Sequence, residues 1–230
     1  MNNKFNEKRY SGIMPTDGPD KTRIDFILNN IPDSGLKVLD IGCWDGSYAV
    51  RYKKSTNTVY GIEASNTAER RAEKKGVLTE CGDFMTTDFF KDVGFDVVVA
   101  GEIIEHVFDT DLFLQKVHRL LKSHGTLFLT TPNVASLPRR ILLLLGKNPL
   151  LDNRIVKDTA GHIRYFTFKG TYELLKDNGF EVVKAESDIL NFNNHGTLYS
   201  TLIPKLYKNF GKTILVVAKK SDAEGRQNPR

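Results

Sequence analysis

Val38-Leu39-Asp40-Ile41-Gly42-Cys43-Trp44-Asp45-Gly46 is the stretch from which the rest of the chain can be read. A short apolar strand carries a carboxylate near its end and runs into a turn bracketed by two glycines. A helix-compatible run, Ser47 to Lys54, follows at once. Glycines in such a turn let the main chain come close to a ligand at the mouth of a parallel sheet.

Outward from that turn, strand and helix patterns alternate. Upstream, Lys21 to Asn30 places Ile24, Ile27 and Leu28 at helical spacing and ends at Ile31-Pro32. Lys37 to Ile41 reads as the first strand and Thr58 to Ile62 as the second, ending in Glu63. Ala68 to Lys75 is a charged helix stopped by Gly76, and Val77 to Glu80 is a third strand running into Gly82-Asp83. The Val-rich run Phe95 to Ala100 suits a strand buried on both faces. Leu112 to Leu121 has the pattern of an amphipathic helix, and Thr126 to Thr130 is a fifth strand before Pro132-Asn133. This order predicts an α/β, doubly wound parallel sheet. Val134 to Ala160 mixes Pro, Arg, Leu and polar residues and reads as an insertion after strand five. Thr171 to Asp177 then reads as a helix, and Glu181 to Ala185 and Thr213 to Ala218 as strands. One domain is expected over 1–220, with a disordered polar tail beyond Ser221.

Composition narrows the setting. A chain of 230 residues, 40% hydrophobic and 27% charged, is ordinary for a soluble domain with a real core. The net charge of +5 is compatible with an anionic substrate, a nucleic acid end or an acidic membrane surface, and equally with a solvated lysine-rich face. Cys43 and Cys81 make neither a disulfide framework nor a metal-type spacing. Met1 to Tyr10 lacks the apolar core of a signal peptide. The longest apolar run, Ile141 to Leu145, is far below the roughly 18 residues of a membrane span. A reducing, cytoplasmic setting is the expectation.

Acidic residues mark the strand ends. Glu63 lies 21 residues beyond Gly42 at the end of strand two, where a carboxylate can accept both hydrogen bonds of a ribose diol. Asp40 closes strand one, Asp83 follows strand three, and Gly101 follows strand four. Three acids at the carboxyl ends of three successive strands lie along the edge where such sheets bind ligands. A nicotinamide site would want G-x-G-x-x-G, whereas the chain has Gly42-x-x-x-Gly46 and no third glycine three residues on.

In Leu39-Asp40-Ile41-Gly42-Cys43 and Asp45-Gly46 the chain resembles the class I S-adenosylmethionine-dependent methyltransferases. Trp44 stands where that pattern usually has a glycine, so it either walls the cofactor pocket or distorts it. The resemblance implies a seven-stranded Rossmann-like sheet with an antiparallel last strand, and S-adenosylmethionine as cofactor. Asp40, Gly42, Trp44, Gly46, Glu63, Asp83, Phe84 and Gly101 would surround it. Asp83 would accept from the adenine amino group and Phe84 would pack on the adenine face. Asp40 would order the turn or meet the cationic end of the methionine moiety.

A second constellation follows strand four, in Gly101-Glu102-Ile103-Ile104-Glu105-His106-Val107. On a helix or tight turn, Glu102, Glu105 and His106 fall at i, i+3 and i+4 and share a face, a donor set suited to a hard or borderline divalent ion. Gly161-His162-Ile163-Arg164-Tyr165-Phe166-Thr167 supplies a further histidine. The combination resembles the ubiquinone-pathway O-methyltransferases and, in its four candidate ligands, the small-RNA 3′-terminal ribose methyltransferases. That resemblance implies Glu102, Glu105, His106 and His162 as catalytic residues holding a divalent ion (Mg, Mn or Zn) against neighbouring acceptor oxygens. Two routes stay open: a metal that acidifies a coordinated hydroxyl, or metal-free catalysis with His106 or His162 as base. His118 and His124, on the helix and turn before strand five, are expected to face solvent. His195 sits in a loop that could reach the acceptor or stay at the surface. Arg164 either holds an acidic substrate group or pairs with a nearby glutamate.

The segment 137–151 is basic at one end and strongly apolar in its middle. It is either an interfacial helix with Arg139, Arg140 and Lys147 at lipid phosphates, as the resemblance implies, or a lid on the acceptor pocket or a partner contact. The expected function is O-methylation of a small-molecule, glycan or lipid-linked acceptor. Two alternatives remain: an RNA ribose methyltransferase, although no dense basic stripe is present, and a non-catalytic methyltransferase-like scaffold subunit, for which Trp44 is the one argument.

Overall fold

The computed structural model describes residues 20–149, 161–192 and 198–221. In chain order these form α1 (Asp20–Asn30), β1 (Lys37–Ile41), α2 (Ala49–Tyr52), β2 (Thr58–Glu63), α3 (Asn66–Lys74), β3 (Leu78–Cys81) and β4 (Phe95–Gly101). A 3-10 turn (Ile104–His106), α4 (Thr110–Leu120), β5 (Leu121–Pro132), α5 (Leu137–Leu144), α6 (Phe168–Asp177) and β6 (Phe180–Ser187) follow. The short pair β7 (Leu190–Asn191) and β8 (Tyr199–Ser200), α7 (Leu202–Leu206), a 3-10 turn (Lys208–Phe210) and β9 (Thr213–Lys220) complete them.

Seven strands make one sheet in the order β3-β2-β1-β4-β5-β9-β6. The pairs from β3 to β5 are parallel, while β9 runs antiparallel to both β5 and β6. The chain builds outward from β1 through β2 to β3, then crosses to β4 on the other side. A crevice therefore opens at the carboxyl ends of β1 and β4, the place where open α/β sheets bind ligands.

Side-chain alternation divides the core into two layers. Leu39, Val98, Ala100, Leu127, Leu129 and Ile214 face Phe113, Leu114 and Val117 of α4 and Leu175 of α6. Val38, Val97, Val99, Phe128 and Leu215 face Ile24 and Ile27 of α1 and Ala49 and Tyr52 of α2. Each fully buried Val, Leu or Ile contributes about 1.5–3 kcal/mol relative to exposure. Asp40 lies two residues from Val38 and so projects into the α1 layer.

Several sequence expectations shift. Helix α3 begins at Asn66 because the Ser65 hydroxyl caps it, accepting from the Ala68 amide at 3.2 Å. Helix α6 begins at Phe168, capped by Thr167, three residues before the expected start. The β7–β8 pair and α7 were too short to show a period. His118, expected at the surface, is buried against the Phe180 ring at 5.4 Å and beneath Gly179. It lies four residues after buried Leu114, so the inward face of α4 carries it toward the α6–β6 turn. His124 is exposed, as expected.

The insertion forms α5, in which no side chain is buried; Leu144 is 87% exposed. Arg139 folds back to donate to the Asn133 carbonyl at 2.6 Å and the Lys212 carbonyl at 3.2 Å. Arg140 bonds the Ala135 carbonyl and covers the Phe210 ring. Both arginines thus donate to carbonyls of their own chain. Residues 150–160 of the insertion, His195 and the tail beyond 221 lie outside the described residues. Among the described residues no helix is long and apolar enough to cross a membrane.

Candidate active site

A cavity of about 680 Å³ occupies the crevice between β1 and β4, a volume within the range of small-molecule and cofactor sites. Its floor is the turn after β1. Gly42 adopts φ +75°, a left-handed conformation that favours glycine, and a Cβ there would lie 2.7 Å from the tip of the Ile103 side chain. Gly46 has a different task. Its added Cβ would meet Ala72 Cα of α3 at 2.7 Å. It lets the helix pack and lies behind the cavity wall, unlike the other residues expected at the cofactor: Asp40, Gly42, Trp44, Glu63, Asp83, Phe84 and Gly101 all line the cavity.

Glu63 organises the turn. One carboxylate oxygen accepts from the Trp44 amide and the other from the Ser65 amide, both at 2.9 Å. Those bonds hold a buried carboxylate in the wall of the cavity. Trp44 takes φ 48°, a left-handed conformation that costs a non-glycine residue about 1–3 kcal/mol and that the Glu63 contact offsets. Asp40 is buried near the cavity floor, and desolvation pushes its carboxyl up to about 8. The Arg23 guanidinium opposes that shift and Glu63 adds to it.

The second constellation is assembled by β4, its 3-10 turn and the returning segment 161–164. The Glu105 carbonyl accepts from the Ile163 and Arg164 amides at 3.0 and 3.1 Å, which brings His162 beside His106. The two imidazole centroids stand 4.9 Å apart. Donor atoms of Glu105, His106 and His162 all lie within 4.8 Å of one another. Nδ1 of His106 lies 3.3 Å from the Gly161 carbonyl, which can only accept. The proton is therefore on Nδ1, and Nε2 is the basic nitrogen.

Glu105 is 1% exposed. One of its oxygens accepts from the Thr131 hydroxyl at 3.0 Å, while Oε1 is buried with no hydrogen-bond partner among the described residues. Burial, and then the neighbouring Glu102, raise its pKa well above the usual carboxylate range. One orphaned carboxylate oxygen beside two imidazoles fits a divalent cation of the borderline class. Glu102 stands apart from this cluster. In a left-handed conformation (φ 55°) it accepts from the Thr130 hydroxyl at 3.0 Å and faces Arg23 Nη1 at 3.7 Å. Of the four ligands suggested by resemblance, three thus converge, and Glu102 lines the same cavity beside Thr130 and Arg23. Among the described residues Arg164 pairs with no glutamate and does not line the cavity; it bonds the Phe108 carbonyl and covers the Phe108 ring.

Three contributors escaped sequence reading. Arg23 reaches the cavity from α1 and stacks 5.9 Å from the centroid of Tyr48, another lining residue. Its place four residues before Ile27 on a buried stripe was the available signal. Thr130 and Thr131, which hold the two glutamates, lie beside Pro132-Asn133 at the end of β5 and read only as strand residues.

A parallel sheet closed by one antiparallel strand, with a glycine turn after β1 and acids at three strand ends, is the architecture of the class I S-adenosylmethionine-dependent methyltransferases. The chain belongs to the methyltransferase domain family, whose model matches residues 18–185. It is 28% identical over 180 residues to the mitochondrial ubiquinone biosynthesis O-methyltransferase of Bos taurus, covering 70% of this chain and 48% of the bovine protein. The chain therefore spans about half the length of that relative. It is also 28% identical over 204 residues to the ubiquinone biosynthesis O-methyltransferase of Chelativorans sp., covering 84% of this chain and 75% of that one. A solved S-adenosylmethionine-dependent methyltransferase of Thermotoga maritima matches with a TM-score of 0.65 at 21% identity, over 87% of this chain and 88% of that chain. At that identity the likeness is one of fold.

Proposed function

We propose that this chain transfers a methyl group from S-adenosylmethionine to an oxygen of a small, largely apolar acceptor. The observation that carries this reading is the shared cavity: the Gly42 turn, Glu63 and Asp83 line one part, and Glu105, His106 and His162 adjoin it. The relatives named as ubiquinone biosynthesis O-methyltransferases support oxygen as the acceptor atom. Phe108 and Ile163 flank the histidines and are 81% and 48% exposed, which favours an acceptor with an apolar or aromatic body over a free sugar.

When bound, S-adenosylmethionine supplies an electrophilic methyl on a sulfonium. Glu63 would hold its ribose and Asp83 with Phe84 its adenine. Asp40 and Arg23 would face its methionine end. His106 is set to take the acceptor's hydroxyl proton at Nε2, because the Gly161 carbonyl keeps Nδ1 protonated. A positioned base of this kind is worth about 10²–10⁴-fold in rate. In the alternative route Glu105, His106 and His162 would hold a divalent ion, with Nε2 of His106 as a ligand and not the base, and the ion would lower the pKa of a coordinated hydroxyl. A screen with methyl-labelled S-adenosylmethionine against phenols, catechols and sugars, with and without chelator, tests the reading. Label transfer to phenolic oxygens supports it; transfer to sugars alone or to nitrogen overturns it.

A peripheral membrane contact through α5 is part of the same proposal, supported by the exposed Ile141, Leu143, Leu144 and Leu145. Co-sedimentation with anionic vesicles that a Leu144→Glu change abolishes would support it. Absence of vesicle binding by the parent would remove it.

A further inference from the structure

We propose that Lys116 is a positioning residue for the cofactor's adenine, acting through the loop that follows β3. This rests on the S-adenosylmethionine reading above and adds to it a residue well away from the strand-end motifs. Lys116 lies on α4, on the face that buries Phe113 and Val117, and is only 8% exposed. A lysine on that face would ordinarily point its ammonium to water. Here Nζ donates to the Thr87 carbonyl at 2.8 Å and the Met85 carbonyl at 3.3 Å. The ammonium also stands 5.4 Å from the centroid of the Phe84 ring.

Those contacts converge on one short segment. Asp83, Phe84 and Met85 line the cavity directly after Gly82. The loop's own bonds are local: Asp83 accepts from the Met85 amide through its side chain and from Thr86 and Thr87 through its carbonyl. The Gly82 amide, donating to the Glu63 carbonyl at 2.8 Å, holds the start of the loop to β2, while the carbonyls of Met85 and Thr87 further along face α4. Phe84 packs edge-on to Phe113 at 5.3 Å, and Lys116, one helical turn further along α4, holds the two carbonyls. Among the described residues no other donor reaches either carbonyl. Asp88, 3.7 Å away with a 64% exposed side chain, neutralises little of the charge. The ammonium thus ties the adenine-facing loop to α4 at Phe84, Met85 and Thr87 together.

The test compares the parent with Lys116→Met and Lys116→Arg, using binding of S-adenosylhomocysteine and S-inosylhomocysteine, which differ at the purine amino group. Lys116→Met should weaken S-adenosylhomocysteine about 10-fold or more and shrink the preference for adenine over hypoxanthine. Lys116→Arg should restore both. Amide exchange over residues 82–88 should quicken in Lys116→Met ahead of the sheet, a readout that needs no ligand. Should Lys116→Met fail to fold, Lys116→Gln carries the same measurements with one carbonyl contact kept. Unchanged affinity, preference and loop exchange in a folded variant would overturn the proposal. Failure of the parent itself to bind either ligand would overturn the cofactor reading instead.

Discussion

The buried carboxyl of Asp40 makes stability depend on pH in a direction opposite to that of most acidic residues. Its folded-state pKa is raised to about 8 by desolvation, with Arg23 opposing and Glu63 adding, from an ordinary value of 3.8. The folded protein therefore holds a proton that the unfolded chain releases. The resulting stability is fully present below about pH 4, falls as pH rises, and is lost as pH passes about 8. Each pH unit inside that window is worth about 1.36 kcal/mol. Between pH 5 and pH 7 the parent should lose about 2.5 kcal/mol relative to Asp40→Asn, which has no proton to lose. For a chain of this size that difference moves the melting temperature by about 5–10 °C. Urea unfolding of both proteins at pH 5, 6, 7 and 8 measures it, because contributions from titrating groups not coupled to Asp40 cancel in the difference. A gap that stays constant across pH would mean that Asp40 is ionised throughout and that the cavity floor is wetter than its burial indicates.

Three further outcomes follow from the same geometry. His106→Ala should leave S-adenosylhomocysteine affinity within about threefold of the parent while lowering turnover by about 10²–10⁴-fold; equal turnover would remove His106 as the base. Zinc or manganese uptake, read by calorimetry, should vanish in Glu105→Ala and persist in Glu102→Ala, because only Glu105 joins the histidine cluster; the reverse pattern would reinstate the ligand role of Glu102. Gly46→Ala should destabilise the fold by about 1–3 kcal/mol in thermal or urea unfolding, since its Cβ would meet Ala72 Cα at 2.7 Å on a backbone at φ +74°. No loss would show that α3 can shift.

The centre of the sheet was legible because β1, β4 and much of β5 are buried on both faces and bounded by glycine, proline or acid. Phe95 to Ala100 needs no context to read as a central strand, and Glu63 and Asp83 declare themselves by following strands. What stayed hidden depends on tertiary placement. Arg23 precedes every motif by a full element, and only the packing of α1 over Asp40 brings it to the cavity. The histidine pair needs the Glu105 carbonyl to bind a segment more than fifty residues away, which no local period encodes. His118 and Lys116 were hidden for a related reason: a polar residue on a helix reads as solvated unless the helix's buried face is known. Gly46 was legible as a turn glycine, but its task, clearance for α3, was not.

The central claim is that the cavity between β1 and β4 binds the S-adenosylmethionine class of cofactor through Glu63. Trp44, the chain's single tryptophan, lines that cavity and donates its amide to Glu63 at 2.9 Å. Its fluorescence is thus a built-in reporter, and titration with S-adenosylhomocysteine is the direct measurement. The account predicts a saturable fluorescence change at micromolar ligand, weakened about 100-fold in Glu63→Ala by loss of two hydrogen bonds to a charged group. No change in the parent, or the same affinity in Glu63→Ala, would contradict it.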